Sequence, residues 1–570
     1  MTYAELFQDN SPSRPTVLGP KGGISTGHYL ATAAAARVLS GGGNAVDAGV
    51  AAGLCLNVVH NDMCSLTGVA PIMLFNAAQN KVFSIDGVGT YGRRVDPEQL
   101  RRKYPDRRIP WPDNTVVPAA LDSWITALRD HGTLTFREVV QPALEYAEEG
   151  YPVGVFQHYA ITEFLETYRR WEENRAIFLS ADEPPAVGAR IVQKDLARSL
   201  SRLIDAEVKQ RGRGREAALN AVRDYFYRGP LGDELAGFAA EVGSHLSRED
   251  FDTYHVRYEQ PFRVPFRGLE VYGCGPWSQG PVLLQALRFL QACNPSFESG
   301  EAAETIHLIV ECLKLAFWDR YAYYGDPRFT NVPMVELLSE EYARRRAGEI
   351  DHNAVRESPD PGMIPRGVKP GKRDGLSDTS YVAVMDRSGN IFSATPSDGY
   401  SQGGICPGLG LHISERGGQG TLLEGNPNVI EPMKRPRLTP NPSLLLKNGR
   451  PYMALGTPGN DRQPQAMLQV LLNLAVHGME PQMAVEAPRF ATYSFPASTH
   501  PRTVFPNILQ IEGAYPEVVA EGLKHRGHIV KKWPFRHWQA GGVCLVRFDE
   551  GRGIFEAAAD HRRDGYALGL

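Results

Sequence analysis

The stretch GLSDTSYVAVMDRSGN, Gly375 to Asn390, marks an abrupt boundary in the chain. Upstream, RESPDPGMIPRGVKPGKRDGLSD (Arg356 to Asp378) is crowded with proline, glycine and charge and predicts an exposed, flexible segment. Downstream, Tyr381, Ala383 and Met385 alternate with Val382, Val384 and Asp386, then DRSGN turns the chain and IFSAT resumes it, which predicts a β-hairpin. Asp378-Thr379 stands at the junction. An internal threonine is an inert alcohol. An N-terminal one carries its own α-amine, of unperturbed pKa about 8, which can accept the hydroxyl proton. A polar loop ending at Asp378 and a core strand starting just after Thr379 would suit a self-cleaving precursor. Thr379 would attack the Asp378 carbonyl, and water would then release the ester. Strands also begin with threonine simply for its β-propensity. The pattern alone leaves both readings open.

Composition narrows the class. The 570 residues are enough for one large layered unit or two to three domains. A hydrophobic fraction of 42%, a charged fraction of 22% and a net charge of −4 are ordinary for a globular enzyme and give no support for nucleic-acid binding. The one dense basic cluster near the front, LRRKYPDRRIP (Leu100 to Pro110), is broken by prolines and reads as a solvated loop. The seven cysteines show no C-x-x-C spacing and read as buried free thiols. The histidines are scattered without H-E-x-x-H, so neither a metal nor a cofactor is expected. MTYAELFQDNSPSRP has neither a basic n-region nor an apolar core, and no apolar run is long enough to span a bilayer, so the expectation is a cytoplasmic protein.

Along the chain, Gly27 to Val59 predicts an alanine-rich helix stopped by Gly41-Gly42-Gly43 and a second helix capped by Asn44, with small residues for close packing. PIMLFNAA and KVFSIDG read as a strand pair. The region from Ser123 to Gln291 reads as mostly helical, with a capping box at Ser247 and Asp250, and HLIVECLKLAFWDRYAYYGD as a long amphipathic helix. SLLLKNGRPYMAL reads as a hairpin, Gln463 to Val485 as helices, and the remainder as strands. Such alternation suggests a layered sandwich. GVGTYG (Gly87 to Gly92) matches G-x-G-x-x-G, but Pro97 interrupts the adjoining RRVDPEQL and no preceding β-α unit fits, so it reads as a loop. GPKGG lacks P-loop spacing, and GPWSQGP (Gly275 to Pro281) reads as a turn, not a nucleophile elbow.

Further blocks carry a resemblance. GGNAVDA, HGTLTFREVVQPALEYAEEGYPV, DYFYRGPLGDEL, LSREDFDTYHVRYEQPFR, HLIVECLKLAFWDRYAYYGDPRF, DTSYVAVMDRSGNIFSAT, KRPRLTPNPSLLLKNG and GTPGNDRQPQAMLQVL succeed one another from about Gly19 to the end. In kind and order they resemble the γ-glutamyltransferase (γ-glutamyltranspeptidase) family of N-terminal-nucleophile hydrolases, in a divergent acylase-like branch. The resemblance implies an α+β, four-layer αββα sandwich, made as a precursor and cut between Asp378 and Thr379. Residues 1–378 and 379–570 would then be the large and small subunits of one domain. It makes Thr379 the nucleophile and puts Ser397 where the family has a threonine whose hydroxyl contacts it. GTPGN matches the oxyanion loop, with Gly459 retained and Asn460 in place of the second glycine; a backbone N–H survives that change.

The departures fall on the glutamyl pocket. Val88 stands at the position of the family arginine that binds the α-carboxylate, Gly399 replaces an asparagine in TPSDGY, ERGGQG offers no acid after Arg416, and a Ser-Ser pair is reduced to Leu438-Thr439. An unpaired zwitterion in such a pocket costs several kcal/mol. Asp398, Gly399, Tyr400, Arg416, Thr439 and Arg93 are the remaining substrate-binding candidates, although Arg93, Arg94 and Arg416 also read as plain surface arginines. The expected activity is hydrolysis of a small amide with a non-glutamyl acyl group, through an acyl-enzyme. The alternatives are acyl transfer, γ-glutamyl included, to an amine, and a non-catalytic ligand-binding scaffold. Expected partners are the small-molecule amide and the two fragments of the precursor, with a dimer allowed; nucleic acid and membrane are not expected.

Overall fold

The computed structural model describes the chain except residues 4, 8–10, 296, 298, 299, 357–378 and 401–402. The proline-glycine segment and Asp378 therefore lie outside the described residues. Among the described residues, Val382–Asp386 is an inner strand of a seven-stranded antiparallel sheet. The sheet runs in the order Tyr566–Gly569, Gly22–Thr26, Val382–Asp386, Ile391–Ala394, Ile72–Asn76, Lys81–Ile85, Tyr258–Glu259. The predicted hairpin is present, with Val382 opposite Ala394 and Met385 opposite Ile391. All five residues of Val382–Asp386 are buried. A sheet covered on both faces needs apolar side chains at every position, so the alternation gives way to a continuous apolar run.

A second seven-stranded antiparallel sheet stacks on the first, in the order Val17–Gly19, Ile554–Ala559, Cys544–Asp549, Arg450–Gly456, Ser443–Lys447, Leu269–Gly273, Phe262–Phe266. Helix Ala45–Val59 covers the outer face of the first sheet, and helices Gly280–Cys293 and Gln463–Ala475 cover the second. The layers are thus helix, sheet, sheet, helix: the four-layer sandwich. Every residue of Ala45–Val59 is buried, and a Cβ added at Gly49 would lie 2.1 Å from the Phe392 ring. That contact is why this helix must be built from small residues.

Local signals account for the element ends. Asn44 and Asp47 form a complete capping box, as do Ser247 and Asp250. The first helix ends at Ser40, but Gly41 is right-handed (φ −76°) and the left-handed turn comes one residue later, at Gly42 (φ 99°). Asn448 and Gly449, both at positive φ, turn the Ser443–Gly456 hairpin. Two expectations are corrected. Helix Ala302–Tyr323 is buried almost all round, not amphipathic, because it is enclosed by Gly280–Cys293, Glu517–His525 and Phe490–Thr492. Leu100 to Lys103 belong to the short helix Pro97–Lys103 instead of a loop. The region from Ser123 to Gln291 is mostly helical, as read, and also holds the strand pair Phe262–Gly273, whose Pro265 is accommodated because its strand is at a sheet edge.

Candidate active site

Thr379 forms an antiparallel bridge with Ser397, which is bridged on its other side to Val69. The Ser397 N–H donates to the Val69 carbonyl (2.9 Å), and the Ser380 N–H to the Pro396 carbonyl (2.9 Å). This clamp brings the Thr379 and Ser397 hydroxyls to 2.8 Å in a buried setting. Arg416, from the short turn Arg416–Gln419, donates through Nη2 to the Ser397 hydroxyl. Arg416 is only 6% exposed, so the surface reading fails for it. For Arg93 and Arg94 it holds. Both are exposed, and the Arg93 guanidinium lies on Glu249 (3.1 Å) and Thr253 (2.9 Å), not on Ser397.

The other candidates take varied places. Asp398 is held at positive φ (86°) and accepts from the Ser414 hydroxyl (2.5 Å). Gly399 lies so close to the segment that follows helix Ala45–Val59 that a Cβ there would stand 2.3 Å from the Asp62 carbonyl oxygen. An asparagine side chain has no room. Tyr400 is wholly buried, with its hydroxyl on the Gly410 carbonyl (3.1 Å) and its ring edge-on to His412, so it packs the loop from behind instead of offering a free phenol. Thr439 is bracketed by the Gln419 amide, which accepts from its N–H (3.0 Å) and donates to its hydroxyl (3.2 Å). Gly459 (φ 131°) and Asn460 (φ 54°) both adopt left-handed backbone just before helix Gln463–Ala475. Asparagine tolerates that region better than other side chains do, which explains why it can stand for glycine. Its buried Oδ1 has no hydrogen-bond partner among the described residues.

Sequence reading missed the group that ties these loops together. Gln279, inside the turn GPWSQGP, donates to the carbonyls of Thr439 (2.9 Å) and Asn460 (2.8 Å) and accepts from Arg320 (3.0 Å). Arg320 pairs with Asp461 at 2.5 Å, both buried, and Asp461 also receives the Ser498 N–H (2.9 Å). The flanking prolines Pro276 and Pro281 mark a turn, and nothing near Gln279 in sequence signals its long-range partners. His60 was also missed. Its Nδ1 meets the Ser380 hydroxyl at 3.1 Å, and burial, with help from the charges of His28 and Arg563, holds it neutral. A triad of His307, Glu311 and His528 has metal-like spacing, but its groups are engaged already. The two rings hydrogen-bond at 2.9 Å and Lys314 pairs with Glu311 at 2.9 Å.

Residues 31–570 match the model of the family described as Gamma-glutamyltranspeptidase. The chain belongs to that family. Within the γ-glutamyltranspeptidase family it is 31% identical over 560 residues to the glutathione hydrolase-like YwrD proenzyme of Bacillus subtilis (97% of this chain, 99% of the relative). It is 32% identical over 565 residues to the acylase ACY 1 proenzyme of Pseudomonas sp. strain SE83 (97% and 94%). The crystal structure of cephalosporin acylase from Bacillus halodurans superimposes with a TM-score of 0.84 at 26% identity, covering 99% of this chain and 98% of that one. The protein is therefore an enzyme of the N-terminal-nucleophile amidohydrolase and acylase type. Among the described residues no helix is long and apolar enough to cross a membrane.

Proposed function

We propose that the chain is a precursor that cuts itself between Asp378 and Thr379 and then hydrolyses a small amide whose acyl group is not glutamyl. The observation that carries this reading is the buried pair of hydroxyls, Thr379 and Ser397, with Arg416 on the second of them. Arginine can only donate, so Ser397 accepts from Arg416; of the two directions open to the Thr379–Ser397 contact, the one assigned here has Ser397 donating to Thr379 Oγ1. That hydrogen bond stabilises negative charge as it develops on the attacking oxygen. The Thr379 hydroxyl attacks the amide carbon while the freed α-amine takes its proton. The N–H groups of Gly459 and Asn460 are assigned to the oxyanion. The proton passes to the departing amine, the C–N bond breaks, and water attacks the threonine ester to release the acid.

Ser397→Ala removes the proposed donor. It should slow both chain cutting and turnover by about 10- to 1000-fold, the range for losing a charge-stabilising hydrogen bond. Full activity in that variant would exclude Ser397 from the mechanism.

Against a glutamyl substrate stands Val88, which is buried and uncharged, with its carbonyl accepting from the Tyr254 hydroxyl (3.1 Å). The acylase relatives favour the same view, whereas the relatives named glutathione hydrolases favour γ-glutamyl hydrolysis or transfer as the second reading. Turnover of a γ-glutamyl anilide, set beside neutral and carboxylate-bearing acyl anilides, separates the two. The γ-glutamyl compound should be the poor one. A kcat/KM for it near or above about 10⁴ M⁻¹s⁻¹, ordinary for an enzyme on its own substrate, would overturn the non-glutamyl assignment.

A further inference from the structure

Helix Gly280–Cys293, which covers the second sheet, packs against helix Ala302–Tyr323. Polar contacts mark how the two lie together. At the end nearest the oxyanion loop, Arg320 Nη1 donates to Gln279 Oε1 (3.0 Å). Further along, Gln285 Nε2 donates to Asp319 Oδ2 (2.8 Å). At the far end the contact is between two cysteines, with Cys293 Sγ 3.8 Å from Cys312 Sγ. As the first helix advances from Gln279 to Cys293, its partner residue recedes from Arg320 to Cys312, so the helices run antiparallel. The sulfur pair therefore stands about 20 Å along the helix from Gln279, at 1.5 Å per residue, and the catalytic reading makes no use of it.

The two thiols differ in access and in acidity. Cys312 is wholly buried within its helix. Cys293 is the last residue of its helix and, alone among the seven cysteines, is only half-buried. The chain leaves it through Asn294, held in the left-handed region (φ 45°) with its N–H on the Leu290 carbonyl (3.0 Å). The hydrogen bond with the Cys312 thiol lowers Cys293 below the usual thiol range, against the opposing effect of its own burial. Burial and that same contact push Cys312 well above it. Burial also raises Cys55, Cys274, Cys406 and Cys544. The thiolate is the nucleophile in thiol–disulfide exchange, so of these six Cys293 is the one placed to react.

We propose that Cys293 and Cys312 are a reversible disulfide site that locks this helix pair together. The oxidant is a low-molecular-weight disulfide. The Cys293 thiolate attacks one of its sulfurs, the reagent's S–S bond breaks, and one thiolate leaves, giving a mixed disulfide. Cys312 then loses its proton and attacks the Cys293 sulfur, and the second thiolate departs. The two protein thiols give up two electrons and two protons, and the reagent is reduced to two thiols. The new bond needs its sulfurs about 2.0 Å apart, so Cys293 swings toward Cys312, a movement confined to the end of its helix. The cysteines are 19 positions apart, and closing that loop stabilises the fold by constraining the unfolded chain. Both precede Thr379, so the lock depends neither on the cut nor on the chemistry assigned to that residue.

The test is incubation of the purified full-length protein, cut or uncut as it is obtained, with bis(2-hydroxyethyl) disulfide. Alkylation after denaturation should then find five free thiols where the reduced protein has seven. A glutamate-specific protease cuts between the two cysteines at Glu301 and Glu304, and mass spectrometry should find the resulting peptides joined through Cys293 and Cys312. Dithiothreitol should restore all seven thiols. The thermal midpoint of the oxidised protein should lie about 2–3 °C above that of the reduced protein, the shift expected for a loop of this length in a chain of this size. Cys293→Ser should take up no reagent and show no rise. Cys312→Ala, which blocks only the second step, should stop at the mixed disulfide on Cys293. Peptide mapping of the unaltered protein decides the matter even where a variant does not fold. No joined peptide, a bridge through any other cysteine, or a bridge without the rise in midpoint overturns the lock.

Discussion

Thr379→Ala is expected to leave the protein as one full-length chain on a denaturing gel, whereas the unaltered protein should run as fragments 1–378 and 379–570. Without the hydroxyl nothing remains to attack the Asp378 carbonyl, and without the new α-amine no base remains to serve Thr379 in turnover. Amide hydrolysis should fall to background as well. Edman sequencing of the smaller fragment should begin TSYVAV. Two outcomes would sink this. The same two fragments from Thr379→Ala would assign the cut to an outside protease. A single band from the unaltered and active protein would mean that catalysis does not need the cut.

Arg435→Met is expected to have the largest effect on stability. The Arg435 guanidinium is fully buried and lies 2.7 Å from Asp86, 2.7 Å from Glu259 and 2.9 Å from Asp326. Asp86 and Asp326 are themselves buried, so the substitution leaves Asp86 with backbone N–H donors alone and Asp326 with Arg328 as its one cationic partner among the described residues. Breaking such a group by removing one member costs about 3–5 kcal/mol. The exposed pair Arg450–Glu550 is the control, because screened surface pairs are worth only about 0–1 kcal/mol. Denaturant midpoints with unchanged slopes would measure both. A loss below about 1 kcal/mol in Arg435→Met would show that the carboxylates find other partners. The same group predicts an acid limit. Burial alone would raise the Asp326 carboxyl, but hydrogen bonds from Arg328 and Arg435 outweigh it and hold Asp326 well below the usual carboxylate range. Its contribution is present at neutral pH and is lost as pH falls below that range toward its folded value. Arg435→Met should flatten that acid dependence.

Legibility in the sequence tracked the range of the interaction. Asn44 with Asp47, Ser247 with Asp250 and the Asn448-Gly449 turn act within four residues, and each could be read directly. The block order, which gave the αββα sandwich, was legible through resemblance; hydrophobic pattern reached no further than a layered sandwich. The Thr379–Ser397 contact was anticipated the same way, and the hairpin between them places it. What stayed hidden depends on long-range burial. Arg416 looked like a surface residue because nothing near it in sequence shows that a loop folds it onto Ser397. Gln279 reaches Thr439 and Asn460 across more than 150 positions.

The strand order of the two sheets bears on what a cut before Thr379 would do. In the first sheet Gly22–Thr26 is held between Tyr566–Gly569 and Val382–Asp386, and Ile391–Ala394 pairs with Ile72–Asn76. In the second, Val17–Gly19 pairs with Ile554–Ala559, and Leu269–Gly273 with Ser443–Lys447. At each of these junctions a strand from before the cut zips to one from after it. Severing the backbone would therefore free no body that could drift away. The two pieces would be interleaved like the fingers of clasped hands, migrating and melting as one, and neither has a complete sheet of its own on which to fold. Assembly has to precede scission, so halves made separately and mixed should not reconstitute the enzyme, and the cut would show itself only once the clasp has been undone by denaturant.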